Sequence, residues 1–295
     1  MEENRLISVV ARSGTWATKY FLAALDRLAA GRSLDVGAVF DVAKGHPNAF
    51  PALGIPKVAI SHIPTPGFAS SREAETSGWA DLARDVGFLD TFQRMDRDHS
   101  EFVGVKTICI YRHPFDLLVA YGRRRADMIA KLGKDGVMPL HESVPVRYPD
   151  YEEGEDSVTR FIDYYRESKF FEVYLVHFLP HYLASRKSGT TMLLQYEEMI
   201  RDRLGFLTKM LHFLGVEADT RLIWEAADFT SIERMKDHEK TLGHSLSGER
   251  YFYGPKKENH ITKHPPVDWQ TAVKPEVRFY AKEIFGRWGL DPQHL

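Results

Sequence analysis

The chain has 295 residues, of which 43% are hydrophobic and 27% are charged, and its formal net charge is −2. These values are typical of a globular protein and exclude disordered, collagen-like and coiled-coil chains. A net charge near zero argues against a protein that coats nucleic acid, because such proteins carry a broad basic surface. It leaves room for a local basic pocket that binds a small polyanion.

The cysteine content and the amino-terminal sequence indicate a soluble protein of a reducing compartment. The single cysteine, Cys109, lies in an apolar run, which predicts a buried and reduced thiol. The first residues lack the basic start and long apolar stretch of a signal peptide, and no segment approaches the ~18 apolar residues of a membrane span. We therefore expect a cytoplasmic protein with no membrane partner and no nucleic-acid partner.

Four short apolar runs rich in β-forming residues predict strands that are buried on both faces. They cover residues 6–11, 58–60, 107–111 and 191–195. Helical patterns separate and follow them, at residues 16–30, 115–130, 158–186, 204–214 and 275–288. Because strands alternate with helices, we expect βαβ units around a parallel sheet and a single α/β domain over residues 1–295.

Two stretches, residues 131–157 and 238–268, have the composition of long surface loops. The first contains three prolines, three glycines and an acidic cluster, and the second is rich in Gly, His, Lys and Pro. Structureless loops of this length are usually functional or disordered. We expect both to lie over the functional site.

A polar residue follows each predicted strand: Arg12, His62, Arg112 and Tyr196. In an open parallel sheet, ligands bind beyond the carboxyl ends of the strands. These positions place two cations, an imidazole and a phenol along one edge. Taken singly, His62 is also typical of a structural histidine, and Arg112 of a surface ion pair.

The segment Arg12-Ser13-Gly14-Thr15 joins the first predicted strand to the first predicted helix. A glycine there lets the backbone approach a ligand, and the N–H groups of a helix N-terminus attract an anion. Such a segment is typical of a phosphate loop, although no Walker A sequence occurs in the chain. By itself, it is equally compatible with an ordinary helix cap and a turn glycine.

Together these segments resemble the sulfotransferases that use 3′-phosphoadenosine-5′-phosphosulfate (PAPS), particularly the cytosolic type and its bacterial relatives. Five segments match in order, from about residue 6 to about residue 290. Arg12-Ser13-Gly14-Thr15 is similar to the 5′-phosphosulfate loop, and Ser61-His62-Ile63-Pro64 to the segment K-T-H-L-P. Residues 111–121 are similar to the 3′-phosphate segment R-N-P-x-D-x-x-x-S-Y, residues 195–199 to Y-E-D-M, and residues 229–236 to T-S-F-x-x-M-K.

The resemblance implies a P-loop-like sulfotransferase fold and transfer of the sulfuryl group from PAPS to a hydroxyl or amine of a small molecule. The products are then the sulfated acceptor and 3′-phosphoadenosine-5′-phosphate (PAP), and no metal is needed. His62 corresponds to the catalytic base, and Arg12 corresponds to the loop cation that stabilises the sulfuryl group. The implied nucleotide ligands are Arg12, Ser13, Gly14, Thr15, Trp16, Arg112, Tyr196, Thr230, Ser231 and Lys263.

Several positions depart from the family pattern. Arg12 replaces the loop lysine, and Ala120 replaces the serine that binds the 3′-phosphate. The loop tryptophan falls on Ala17, with Trp16 one position early, and the stacking phenylalanine is Ile232. The resemblance therefore leaves open how adenine and the 3′-phosphate are held.

The R-K-G segment of the family is degenerate in this chain. Counting back from Asp268-Trp269 places Lys263 at its lysine, with Lys256 and Lys257 as rivals for the 3′-phosphate.

Two other functions remain open. A P-loop-like nucleotide kinase would need a Walker lysine and a magnesium-binding aspartate, and neither is evident. A non-catalytic PAP-binding homologue would fit the losses at Ala17, Ala120 and Ile232, but the retained His62 favours catalysis.

The remaining expectations concern metals, the acceptor and the oligomeric state. His177 and His181 stand at i, i+4, but without the H-E-x-x-H pattern we expect no zinc site.

The residues that we expect to line the acceptor pocket are aromatic and histidine-rich. Together with the acidic residues 150–156, they suit a polar acceptor such as a secondary metabolite. That lining comprises Phe68, Tyr165, Phe170, His177 and Tyr251. A homodimer is compatible with the sequence, which does not identify the acceptor.

Overall fold

The computed structural model describes residues 4–10, 14–45, 47–61, 78–87, 102, 104–132, 156–187, 189–243 and 268–295. These residues form a five-stranded sheet in the order β2-β3-β1-β4-β5. The strands are β1 (Arg5–Val9), β2 (Asn48–Phe50), β3 (Ile55–Ser61), β4 (Lys106–Tyr111) and β5 (Thr191–Gln195). Neighbours are parallel except for β2, which is antiparallel to β3. The predicted α/β class and parallel sheet are confirmed.

Helices flank the sheet on both faces. In chain order they are α1 (Thr15–Ala29), α2 (Val36–Ala43), α3 (Trp79–Asp85), α4 (Pro114–Leu132), α5 (Ser157–Asp163), α6 (Phe170–Lys187), α7 (Tyr196–Arg201), α8 (Arg203–Leu214), α9 (Thr220–Phe229), α10 (Ile232–Leu242), α11 (Trp269–Ala272) and α12 (Pro275–Gly286). Within the described part of the chain, none of them is both long and apolar enough to cross a membrane.

Local sequence explains where several helices begin and end. Asp202 accepts a hydrogen bond from the backbone N–H of Gly205 (2.9 Å) and so caps the start of α8. The same helix stops at Gly215, whose φ of 74° is the left-handed conformation that glycine adopts without strain. Pro114 occupies the first position of α4, where its missing N–H costs no helical hydrogen bond.

Three predictions of element boundaries differ from the structure. The pattern over residues 158–186 contains two helices, α5 and α6, because the chain leaves the helical conformation at residues 164–169 and Lys169 has φ 49°. Residues 238–242 complete α10, so the predicted loop 238–268 is wrong at its start. Residues 131–132 end α4, whereas 133–155 and 244–267 lie outside the described residues.

Each face of the sheet has its own apolar core because successive strand residues point to opposite faces. Ile108 and Ile110 belong to a cluster with α1, α2 and α8–α10, whereas Cys109 belongs to a cluster with α4, α5, α6 and α12. Cys109 is fully buried and free, as predicted, and burial raises the pKa of its thiol.

The strand register brings the carboxyl ends of four strands to one edge of the sheet. Ser8 of β1 is level with both Ser61 of β3 and Cys109 of β4, and Tyr111 of β4 is level with Gln195 of β5. The helices α1, α4 and α7 begin at this same edge. Their first turns therefore surround the position where the sequence predicts the site.

Candidate functional site

The predicted site residues divide into described and undescribed groups. Arg12, Ser13, His62 and Lys263 lie outside the described residues. The described ones are Gly14, Thr15, Trp16, Arg112, Tyr196, Thr230 and Ser231. The structure brings Gly14, Arg112 and Tyr196 together, and it gives Trp16, Thr230 and Ser231 other contacts.

Gly14 immediately precedes α1 and has a φ of 97°, which an L side chain rarely adopts. A Cβ atom there would lie 3.0 Å from Cε2 of Tyr196 and 3.0 Å from Cε of Met199. Conformation and space therefore both require glycine. Among the described residues, no side chain caps α1. The N-cap residue, Gly14, offers no side-chain acceptor to the first N–H groups of α1, and such groups attract an anion.

Arg112 follows β4 and lies against the face of Tyr196. Its Cζ is 5.2 Å from the centroid of the Tyr196 ring, a distance typical of a cation–π contact. Its Nε is 3.6 Å from Oε1 of Glu197, which is too far for a hydrogen bond. This Nε is buried and has no hydrogen-bond partner among the described residues. The guanidinium is held in place and still has donors for a ligand anion.

Glu197 lies behind Arg112 and contacts the start of α4. Its two carboxyl oxygens accept hydrogen bonds from the backbone N–H of His113, at 3.2 and 3.3 Å. Burial raises the pKa of Glu197 to about 7, and the charge of Asp116 adds to this, against the opposing effects of Arg112 and His113 N–H. Burial also raises the pKa of Asp116, in the first turn of α4. Neither Glu197 nor Asp116 was assigned a role from the sequence alone.

His113 and Trp269 connect this region to the carboxyl-terminal part of the chain. Their rings stack with centroids 4.7 Å apart and an interplanar angle of 17°. Burial lowers the pKa of His113 to about 4, so the imidazole is neutral at pH 7. Because His113 directly follows Arg112 in the chain, this stacking places Trp269, the first residue of α11, beside the segment that carries Arg112.

Thr230 and Ser231 are engaged with the protein itself. The Thr230 hydroxyl donates to the carbonyl of Ala226 (2.8 Å) and accepts from Nη2 of Arg203 (2.9 Å), and the side chain is fully buried. Ser231 Oγ accepts from the backbone N–H of Arg234 (3.4 Å) and so caps α10. The Thr230 hydroxyl therefore both donates and accepts within the protein, whereas the Ser231 hydroxyl accepts here and can still donate to a ligand.

Arg203 is a structural contributor that the sequence did not signal. Its Nη2 also donates to the carbonyl of Thr230 (2.6 Å), and burial lowers the pKa of the guanidinium. An arginine at the start of a helix is usually a surface residue. Its interaction with Thr230, 27 positions later, is visible only in the fold.

Trp16 packs against Phe40 of α2, with ring centroids 6.5 Å apart. The predicted acceptor residues Tyr165, Phe170 and His177 are buried in the described part of the chain, whereas Phe68 and Tyr251 lie outside it. Within the described residues, no group of three or more His, Cys, Asp and Glu side chains is arranged to hold a metal ion.

This chain is similar to a number of solved structures, among them the following three. Retinol dehydratase with retinol and PAP has a TM-score of 0.48 and 14% identity, over 96% of this chain and 80% of that chain. The mouse sulfotransferase SULT7A1 with PAP has a TM-score of 0.49 and 17% identity, over 97% and 84%. Retinol dehydratase with androsterone and the inactive cofactor PAP has a TM-score of 0.48 and 14% identity, over 97% and 80%.

Among curated proteins, no sequence matches this chain significantly. The comparison with family models is informative, because the model described as Sulfotransferase domain matches residues 101–291. That match covers about two thirds of the chain and includes Arg112, Glu197 and Tyr196. It confirms the family that the sequence segments resemble: the chain belongs to the sulfotransferase domain family.

Proposed function

We propose that this sulfotransferase takes the sulfuryl group from PAPS and transfers it to a hydroxyl or amine of a small-molecule acceptor. The observation that carries the proposal is the position of Tyr196. One edge of its ring presses on Gly14, at the start of α1, and one face lies against Arg112. Two anion-binding features are thus separated by a single phenol ring, as a nucleotide with phosphates on both its 5′ and 3′ positions requires.

The residues present fit such a nucleotide. The helix start at Gly14 and Thr15 offers backbone N–H groups to the 5′-phosphate, and Gly14 has no side chain that would cover them. Arg112, which lies against the Tyr196 ring, binds the 3′-phosphate with the N–H donors of its guanidinium group. Tyr196 separates the two groups, and we assign Arg12, Ser13 and Trp16 to the same nucleotide from the family pattern.

Lys263 is our second ligand for the 3′-phosphate. It precedes Asp268 by five positions, and Asp268 precedes the tryptophan that stacks on His113. Five extended residues span at most about 18 Å, so the tether does not prevent Lys263 from reaching Arg112.

We also assign Thr230 and Ser231 to the nucleotide from the family pattern. Ser231 keeps its O–H as a donor for the ligand, and Thr230, whose hydroxyl is bonded to Ala226 and Arg203, holds the backbone between α9 and α10.

His62 is the proposed general base. It follows Ser61, the last residue of β3, at the edge where α1 and α4 begin. When PAPS is bound, a bond forms between the acceptor oxygen or nitrogen and sulfur, and the bond from sulfur to the 5′-phosphate oxygen breaks. PAP leaves with that electron pair. His62 accepts the acceptor proton, which requires a neutral imidazole, and Arg12 stabilises the charge on the transferring group.

We further propose that residues 1–295 form one sulfotransferase domain. Lys274, next to α12, bonds Asp163 of α5 at 2.7 Å, and Tyr280 of α12 bonds Glu172 of α6 at 2.7 Å. Both pairs join the carboxyl-terminal helix to the middle of the chain. The nature of the acceptor as a polar small molecule and the formation of a homodimer stay predictions.

The test separates nucleotide binding from chemistry. We compare three purified proteins: wild type, His62→Ala and the control His212→Ala, which lies on the exposed side of α8. Each is titrated with PAP to measure binding. Each is then incubated with PAPS and a panel of alcohols and amines, and the products are identified by mass spectrometry. We expect His62→Ala to lose ~100-fold or more in turnover and to retain PAP affinity within about twofold. Unimpaired turnover in His62→Ala would refute the base assignment.

The same assay decides between the proposal and its two alternatives. PAP binding without product from any acceptor would support the non-catalytic homologue. Magnesium-dependent turnover of ATP would support the kinase.

A further inference from the structure

The peptide unit that joins Arg112 to His113 lies in the short junction between β4 and α4. β4 ends at Tyr111, and α4 begins at Pro114. The bonds of the helix start with the carbonyl of His113, which accepts from the N–H of Leu117 (2.9 Å). The junction peptide, as we call the Arg112–His113 unit, therefore lies between the strand and the helix, and its polar groups need partners from elsewhere.

Two side chains hold the junction peptide from opposite sides. Its carbonyl oxygen, which belongs to Arg112, accepts a hydrogen bond from the hydroxyl of Tyr174 on α6 (2.9 Å). Its N–H, which belongs to His113, donates to the two carboxyl oxygens of Glu197 on α7, at 3.2 and 3.3 Å. The carbonyl and the N–H of a planar trans peptide point in opposite directions. A rotation of the peptide plane would therefore weaken both interactions.

The Arg112 side chain has less directional contacts than its backbone. Its Cζ lies 5.2 Å from the centroid of the Tyr196 ring, and its Nε lies 3.6 Å from Oε1 of Glu197, so neither contact is a hydrogen bond. Both are electrostatic attractions that change slowly with distance. The plane of the junction peptide contains Cα of Arg112, and it therefore sets the point from which the side chain leaves the backbone.

We propose that Tyr174 and Glu197 are positioning residues for the 3′-phosphate, which set the place of the Arg112 guanidinium by holding the junction peptide between them. This role rests on the nucleotide site proposed above, in which Arg112 binds that phosphate. Charge-assisted hydrogen bonds depend steeply on distance and angle. A tilt of the junction peptide should therefore weaken binding of the 3′-phosphate and leave the 5′-phosphate at the start of α1 unaffected.

Tyr174 suits this role because its ring is held in place independently of its hydroxyl. The side chain is buried, and its ring packs against Phe178 of the same helix and Phe285 of α12, with both centroids 5.6 Å away. Tyr174→Phe keeps the ring and removes only the hydroxyl. The variant therefore isolates the hydrogen bond to the junction peptide.

The first experiment titrates two nucleotides, PAP and adenosine 5′-monophosphate, which lacks the 3′-phosphate. The proteins are wild type, Tyr174→Phe and the control Tyr280→Phe, whose lost hydroxyl bonds Glu172 of α6 instead (2.7 Å). We expect Tyr174→Phe to lose about fivefold in PAP affinity and to keep its affinity for adenosine 5′-monophosphate within about twofold. Tyr280→Phe should keep both affinities.

A double-mutant cycle shows through which residue Tyr174 acts. In an Arg112→Ala background, Tyr174→Phe should change PAP affinity by less than about twofold, because the group that it positions is gone. A merely structural role would instead produce the same loss with and without the Arg112 side chain.

Glu197 is tested by a pair of variants that both lack its charge. Glu197→Ala removes the acceptor for the His113 N–H, whereas Glu197→Gln keeps a carbonyl oxygen there. Glu197→Gln should therefore bind PAP about fivefold more tightly than Glu197→Ala does. Glu198→Ala is the control and should bind PAP as wild type does, because Glu198 pairs with Lys209 instead (3.3 Å).

The results that would overturn the inference are distinguishable from failure of the nucleotide site. An unchanged PAP affinity in Tyr174→Phe, or a loss that persists in the Arg112→Ala background, would refute the positioning role and leave the site standing. Absence of PAP binding by wild type, or an unchanged PAP affinity in Arg112→Ala, would refute both. If Tyr174→Phe does not fold, the Glu197 pair still decides, because equal PAP affinities of Glu197→Ala and Glu197→Gln contradict the proposal.

Discussion

The two sides of the candidate site are built on different physical principles. On the Gly14 side, a backbone conformation and close packing by Tyr196 and Met199 define the site, and the described residues place no ion pair there. On the Arg112 side, a partly buried guanidinium, the carboxyl group of Glu197 and one backbone N–H define it. Shape controls the first side, and charge controls the second.

This difference predicts how each side responds to change. A site defined by shape fails sharply when an atom is added, because packed backbone and aromatic rings do not yield. A site defined by charge responds in graded fashion to substitution, salt and pH. Tyr196 belongs to both sides, so each side can be perturbed separately while this shared residue is kept.

The largest effect should come from adding one methyl group on the Gly14 side. Gly14→Ala must strain a φ of 97° and push Tyr196 and Met199 from positions 3.0 Å away. We expect PAP affinity to fall about 100-fold, because misplacement by about 1 Å is enough for such a loss. The measurement is PAP titration alongside thermal unfolding.

Gly31→Ala is the matched control for that substitution. Gly31 also has a positive φ (69°), but nothing lies within 4 Å of the added Cβ. It should lose about 1 kcal/mol of stability and no PAP affinity. Equal PAP affinities for the two variants would show that close packing at Gly14 does not define this side.

On the Arg112 side, removing the guanidinium should have a smaller and ligand-dependent effect. Arg112→Ala loses charge-assisted hydrogen bonds to the 3′-phosphate, so PAP affinity should fall about 30-fold, whereas affinity for adenosine 5′-monophosphate should change little. The control is Arg201→Ala, at the exposed end of α7. If both nucleotides weakened equally, Arg112 would not be the ligand of the 3′-phosphate.

A third substitution tests whether Thr230 acts through structure. Arg203→Ala removes two hydrogen bonds to Thr230 and leaves buried acceptors without a partner. We expect the free energy of unfolding to fall by about 2 kcal/mol, with only a few-fold change in PAP affinity. Arg221→Ala, exposed on α9, should change neither. A large loss of PAP affinity at unchanged stability would instead make Arg203 a direct ligand.

The sequence predicted the strands and the edge of the site because those depend on local patterns. Short apolar runs ending at Arg112 and Tyr196 predicted β4 and β5, and Gly14 was recognised from its place between a strand and a helix. β2 was missed because three residues are too short to show an alternating pattern. The break between α5 and α6 was missed because Lys169, a residue that rarely adopts positive φ, gives no local signal.

Interactions across the sequence could not be predicted from patterns. The hydrogen bonds between Glu197 and His113 join residues 84 positions apart and depend on the register of β4 against β5. The same holds for the hydrogen bonds between Arg203 and Thr230. A motif identifies which residue types are present, whereas the environment that sets the charge of a carboxyl group exists only after folding.

The smallest expected effect concerns a buried cation on the Gly14 side. Lys19 of α1 is buried, its Nζ donates to the carbonyl of Gly45 (3.2 Å), and burial lowers its pKa from 10.5 to about 8. Between pH 8 and 10.5 the unfolded chain binds more protons at this lysine than the folded chain does. Its burial therefore costs stability fully below pH 8, and the cost is relieved as pH rises through that window.

Lys19→Met should consequently be more stable than wild type at pH 7, by about 1 kcal/mol after the lost hydrogen bond is included, and the difference should vanish near pH 10. Chemical denaturation at several pH values measures this, with the exposed Lys44→Met as control. PAP affinity should not change in either variant. A loss of PAP affinity in Lys19→Met alone would mean that this lysine serves the ligand, and that charge, besides shape, defines the Gly14 side.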